Sequence, residues 1–212
     1  MQQRFQEMKK LELETQAKKI KNQQGFTLVE LLIVLAVIAV LAVLLLSAIP
    51  SFLDKQHATQ DLKVANEIVG AVGKFQNDCG TEPTIIGGLY QSTYATASYT
   101  ENGSDCTAQG LWHGPYLNSG AGTIATDGTY IEGAFGSSDQ IKINIAQPTV
   151  NGASGVTQQD YVSFSGFNQS TAQYMSQKVN GNPNFGQAGS QFYATCSNKN
   201  NCTGYLVFNN YN

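Results

Sequence analysis

Charge is scarce in this chain: 13% of its 212 residues are Asp, Glu, Lys or Arg, about half of the roughly 25% usual in a soluble protein. The balance is acidic, formally −3, which excludes a nucleic-acid binder, because neutralising phosphates takes a basic surface. Histidine is nearly absent, with two in all, and no HExxH, GxxxxGK[ST] or GxSxG occurs, so the usual hydrolase and nucleotide-binding patterns are missing. Gly120 to Ala125 matches G-x-G-x-x-A but follows no strand signal and opens no helix signal. Asp127, Asp139 and Asp160 are too scattered to suggest calcium, and His113 beside Trp112 and Pro115 reads as structural. No catalytic residue, metal or cofactor is expected. Disorder is excluded in turn, since ten Phe and ten Tyr give the chain apolar area to bury.

What is present falls into unlike segments. Residues 1–25 hold six of the twelve Lys and Arg against Glu7, Glu12 and Glu14, a local +3 that leaves −6 for the rest. Leu31 to Leu46 is then sixteen consecutive Leu, Ile, Val and Ala residues. Phe26 to Ile49 supplies 24 residues interrupted only by Thr27, Glu30 and Ser47, and roughly 20 suffice to cross a bilayer as a helix. The basic leader places the N-terminus in the cytoplasm and residues 50–212 outside. A cleaved secretory signal fits poorly, because the leader is long and partly acidic and Leu46-Ser47-Ala48-Ile49-Pro50 is a weak cleavage site. An uncleaved signal anchor leaves Glu30 unexplained, since a carboxylate in a spanning helix is costly without a partner.

The junction Gln23-Gln24-Gly25-Phe26-Thr27-Leu28-Val29-Glu30-Leu31-Leu32 resembles the processing site of type IV prepilins. The likeness is specific over residues 22 to about 49 and general in layout beyond. It implies that a membrane protease, the prepilin peptidase, cuts between Gly25 and Phe26 and that the new amine of Phe26 is methylated. The physics agrees. Gly25 presents no side chain to a protease cleft, and the freed amine stays a base after methylation. Glu30 of an assembled subunit can receive the amine of an incoming one, neutralising two charges that apolar surroundings penalise. A stagger set by that pairing gives an open, helical interface and hence a fibre.

Pro50 is expected to kink or briefly melt the helix. Helical spacing then resumes in Leu62, Ala65, Ile68, Val69, Val72 and Phe75, with Asp61, Lys63, Glu67 and Lys74 elsewhere around the wheel. One long helix over about 26–78 follows. Ile141, Ile143 and Ile145 alternate with Lys142 and Asn144, and Tyr161 to Phe164, Gln191 to Thr195 and Tyr205 to Phe208 are further strand signals. Ser170 with Gln173 reads as a capping box for a short helix that turns Ala172, Met175 and Val179 inward and ends at Gly181. Residues 82–138 show no assignable pattern.

Cys79, Cys106, Cys196 and Cys202 all fall outside the cytoplasm, where disulfides form. Four cysteines allow three connectivities. Cys79 with Cys106 and Cys196 with Cys202 is the local choice, the second ring being easy to close. Zinc is the weaker rival, with no CxxC and both histidines far from the cysteines. In pilins generally a disulfide ties down the exposed C-terminal region.

The resemblance implies an α+β chain with the type IV pilin fold: a long N-terminal helix, its first half spanning the membrane, packed on a small antiparallel sheet with a loop-rich C-terminal region. The segments read as a cleaved cytoplasmic leader (1–25), a transmembrane and polymerisation helix (26–50), its amphipathic continuation (51–80) and an extracytoplasmic globular domain (81–212). The function implied is structural: a fibre-forming subunit made in the bacterial inner membrane, polymerised with its own copies by an inner-membrane platform and a cytoplasmic ATPase, and displayed outside the cell. The alternatives are a minor pilin or a type II secretion pseudopilin, and more distantly a signal-anchored binding or enzymatic domain. Leader length and size resemble type IVb pilins while Phe26 resembles type IVa, so roles in adhesion, motility, DNA uptake or secretion stay open.

Overall fold

A computed structural model describes residues 6, 8–10, 12, 26–46, 49–118, 122–136 and 138–211. Gly25, most of the leader and residues 47 and 48 lie outside that set, the last pair with the break expected ahead of Pro50. The chain divides into two compact units, Met1–Pro50 and Ser51–Asn212.

In the first unit α1 covers Leu28–Leu46 and buries none of its 19 residues. It is apolar all the way round, the pattern of a helix whose solvent is lipid. Its length of about 28 Å matches a bilayer core, and among the described residues no other helix is long and apolar enough to cross one.

Helix α2 runs Ile49–Cys79, and in the second unit its buried stripe comprises Ala58, Asp61, Leu62, Val64, Ala65, Ile68, Ala71, Val72, Phe75 and Cys79. The apolar spacing read from the sequence recurs here, with one correction. Lys63, Glu67 and Lys74 are exposed, and Lys63 reaches Glu67 at 3.8 Å, but Asp61 is 1% exposed. Position 61 stands three after Ala58, four before Ala65 and seven before Ile68, so helix geometry puts it on the core face whatever its chemistry. The Ala134 N–H, 2.8 Å from its Oδ1, meets part of the cost.

Five antiparallel strands follow: β1 (Ile131–Glu132), β2 (Gln140–Pro148), β3 (Gln158–Phe167), β4 (Phe192–Asn198) and β5 (Asn201–Tyr211), in spatial order β1-β2-β3-β5-β4. Ile141, Ile143 and Ile145 point inward as their alternation requires. Ile143 pairs with Val162, Phe164 with Gly204 and Phe192 with Leu206, and all but the glycine join the buried face of α2 in one core. A bulge between Asn144 and Gln147 holds Ala146 at φ +49°, where its N–H donates to Asp160 Oδ1 at 2.8 Å.

Helix α4 (Gln169–Asn180) bridges β3 and β4, and its cap corrects the sequence reading. Asn168 is the N-cap, its side chain accepting from the Thr171 N–H at 2.9 Å. Ser170 lies inside the helix and donates to Asn168 at 2.6 Å. Asparagine caps at least as well as serine, and the strand ends one residue before it. Ala172 and Met175 are buried, Val179 half-buried, and Gly181 at φ +76° ends the helix.

Between α2 and β2 the described residues form one short helix, α3 (Gly87–Tyr90), two single 3-10 turns and the two-residue β1. Trp112 Nε1–H donates to Gly88 O at 3.0 Å, Tyr94 OH to Thr126 O at 2.9 Å and Tyr116 OH to Asp78 at 2.9 Å. Cys79 is bonded to Cys106 and Cys196 to Cys202, with Cα atoms 5.2 and 4.0 Å apart and sequence separations of 27 and 6. Loop-closure entropy favours the longer ring by roughly 1.3 kcal/mol, and Cys196 already faces Cys202 in register across β4 and β5. Removing the first bridge (Cys79→Ser with Cys106→Ser) is therefore expected to cost at least that much more stability than removing the second, as read by urea unfolding of the two double variants.

Candidate functional site

Phe26 and Thr27 precede the first helical residue, so the chain leaves the Gly25 side in non-helical backbone and turns into α1 only at Leu28. Thr27 O accepts the first intrahelical bond, from the Leu31 N–H at 3.2 Å, which makes Thr27 the N-cap. Its hydroxyl accepts from the Glu30 N–H at 3.2 Å. Glu30 reaches back, and its Oε2 accepts from the Thr27 N–H at 2.8 Å and the Thr27 hydroxyl at 2.9 Å. This is a capping box, in which two donors that a helix start leaves unpaired are satisfied reciprocally. The carboxylate also sits where the helix dipole favours negative charge.

Glu30 therefore has a partner within its own chain, which the sequence reading missed. The signal was legible, T-x-x-E ahead of an apolar run. Both bonds fall on one carboxylate oxygen; among the described residues Oε1 takes no further bond, so the group can still receive a cation. Phe26 is 90% exposed, free to enter an enzyme's cleft or an apolar neighbour.

Residues 20–46 match the model of the prokaryotic N-terminal methylation motif. The chain carries a type IV pilin leader. No curated protein and no solved structure matches it. A pilin leader implies processing by prepilin peptidase and assembly into a pilus, and with the apolar α1 it supports a membrane-anchored precursor of a type IV pilin-like protein or pseudopilin. The α1 helix and the antiparallel sheet make a mixed α+β chain consistent with the type IV pilin fold.

The other singled-out residues lie in the second unit. The cysteines stand as two pairs in the second unit. His113 Nδ1 lies 3.7 Å from Asp78 on the surface, and among the described residues no three metal-ligating side chains come together. Three clefts, of about 200 Å³ beside Tyr90 and Tyr94, 310 Å³ beside Asn180 and Gln187, and 440 Å³ beside Asn168 and Lys199, carry no His, Cys, Asp or Glu in their walls. They offer no acid and base in pair.

Proposed function

We propose that the chain is the precursor of a fibre-forming type IV pilin. Prepilin peptidase cuts between Gly25 and Phe26, and the amine of Phe26 is methylated. The retained α1 helix holds the subunit in the inner membrane, with its N-terminus cytoplasmic and the second unit outside. An inner-membrane platform driven by a cytoplasmic ATPase then adds it to a helical filament, in which Glu30 accepts the amine of the next subunit.

The observation that carries this reading is the capped start of α1, one residue after the bond to be cut: Thr27 and Glu30 fix the helix while Phe26 stays outside it. A disulfide-tied globular unit supports a fibre-forming pilin over a pseudopilin. The test is intact mass and N-terminal sequencing of the protein extracted from its native membrane. A chain beginning at N-methylated Phe26 is expected; one that retains Met1, or begins beyond Ile49, overturns the reading.

A further inference from the structure

Among the described residues three buried side-chain oxygens lack a hydrogen-bond partner: Asp61 Oδ2, Glu82 Oε1 and Asp139 Oδ1. All three are carboxyl oxygens. Two of them belong to neighbouring groups, Asp61 on α2 and Asp139 in the loop ahead of β2, which act on each other and are held by the N–H groups of the adjacent residues Ala134 and Phe135. Both residues are closed off from water, at 1% and 0% exposure. Their other oxygens are spoken for, since Asp61 Oδ1 accepts from Ala134 N–H at 2.8 Å and Asp139 Oδ2 from Phe135 N–H at 3.2 Å. An ionised carboxylate only accepts, so two of them face to face would leave a buried acceptor pair with no donor between.

We propose that Asp61 and Asp139 share one proton, an Asp61 Oδ2–H donating to Asp139 Oδ1, and that this proton clasps α2 to Asp139 and the 133–136 turn, holding in acid and releasing as the medium turns alkaline.

The surroundings fit a proton better than a cation. From α2, His57 lies near enough to lower Asp139, and its ring meets Phe135 edge-on at 5.3 Å. From β3 come two groups of Ser165: its backbone N–H, which lowers Asp139, and its Oγ, which accepts from the Gln140 N–H at 3.1 Å and donates to Ser138 O. The loop is shaped around the acid: Gly133 N–H donates to Asp139 O at 3.0 Å, and a Cβ at Gly133 would collide with the Asp139 carboxyl. Burial first, and the charge of Asp139 second, push Asp61 from 3.8 up to about 8. Asp139 is raised too, by burial, against the opposing bonds from Phe135 and Asp61.

The sign follows from linkage. Between pH 4 and about 8 the folded chain keeps a proton on Asp61 that the unfolded chain has lost. The stabilisation is complete below pH 4 and is lost as pH rises toward 8. This reading stands on the second unit alone and holds whichever filament the chain enters.

The test compares wild type with Asp61→Asn, as full chains in detergent, by urea unfolding from pH 5 to 7. The asparagine amide supplies the missing donor permanently, so the wild-type folding constant is expected to fall about tenfold more per pH unit than that of the variant. Infrared spectroscopy reads the proton directly. Glu82, beside Asp160, is also raised, to about 7 and again by burial first, so the spectrum is taken in a Glu82→Gln background. A protonated-carboxyl band at pH 6 that disappears on adding Asp61→Asn supports the clasp. Equal pH slopes, or no such band, overturn it. Should Asp61→Asn not fold, Asp139→Asn serves in both measurements, and the band in Glu82→Gln alone still decides.

Discussion

Replacing Glu30 with valine is expected to leave the chain cut, methylated and inserted, and to abolish fibres. Glutamine at the same position is expected to do the same, and the comparison separates two roles. In the single chain Glu30 closes the capping box on Thr27, through bonds of 2.8 and 2.9 Å. Glutamine closes that box as well, whereas valine cannot. Losing a cap costs about 1 kcal/mol, too little to stop a 19-residue apolar helix from forming in lipid, where its backbone has no other partner. The charge is a larger matter. An amine brought into an apolar interface without its carboxylate leaves a buried charge uncompensated, worth about 3–5 kcal/mol, or more than about 100-fold in subunit affinity. Sheared fibres counted by electron microscopy, beside the N-terminal mass of the membrane pool, distinguish the outcomes. Normal fibres from Glu30→Gln would leave Glu30 as a cap and sink the pairing of amine with carboxylate.

How much of this was legible beforehand depended on how local the cause was. The sixteen-residue apolar run declares α1, the three alternating isoleucines declare β2, and the stripe from Leu62 to Phe75 declares the packed face of α2. Each is a periodicity within one segment. Asp61 was misplaced because its justification lies 78 positions away at Asp139; read alone, an aspartate on an amphipathic helix belongs to the solvent side. The tract from 82 to 138 has no period to read, and among its described residues order comes from single side chains reaching remote carbonyls, Trp112 to Gly88 and Tyr94 to Thr126. The α4 cap was a contest between Asn168 and Ser170, two able residues decided by where β3 ends. Thr27 differs from these, because its box with Glu30 is fully local, a T-x-x-E pattern legible in the sequence by itself.

Phe192→Ala is expected to cost about 3–5 kcal/mol, a large share of the 5–15 kcal/mol that holds an ordinary domain. Phe192 opens β4 with no exposed surface, opposite Leu206. Its ring and that of Phe167 close over Gly204, where even a methyl group would stand 2.9 Å from each Cζ. Collapse into the vacated space is blocked by the backbone, since Asn180 at the end of α4 holds both sides of residue 192: the Phe192 N–H donates to Asn180 Oδ1 at 2.9 Å, and Asn180 Nδ2–H to Phe192 O at 2.7 Å. A site pinned in this way keeps its cavity, and the penalty falls toward the upper end of the range. Tyr193, one residue on and facing the other side of the sheet in a stack with Tyr205, is the control, with an expected cost of about 1 kcal/mol for its alanine. The single tryptophan, Trp112, reports urea unfolding of both variants by fluorescence. Because α1 and its cap are untouched, Phe192→Ala should still be cut and methylated at Phe26. Any loss of fibres from it would then measure the demand that assembly places on the stability of the globular unit, apart from the chemistry at Glu30.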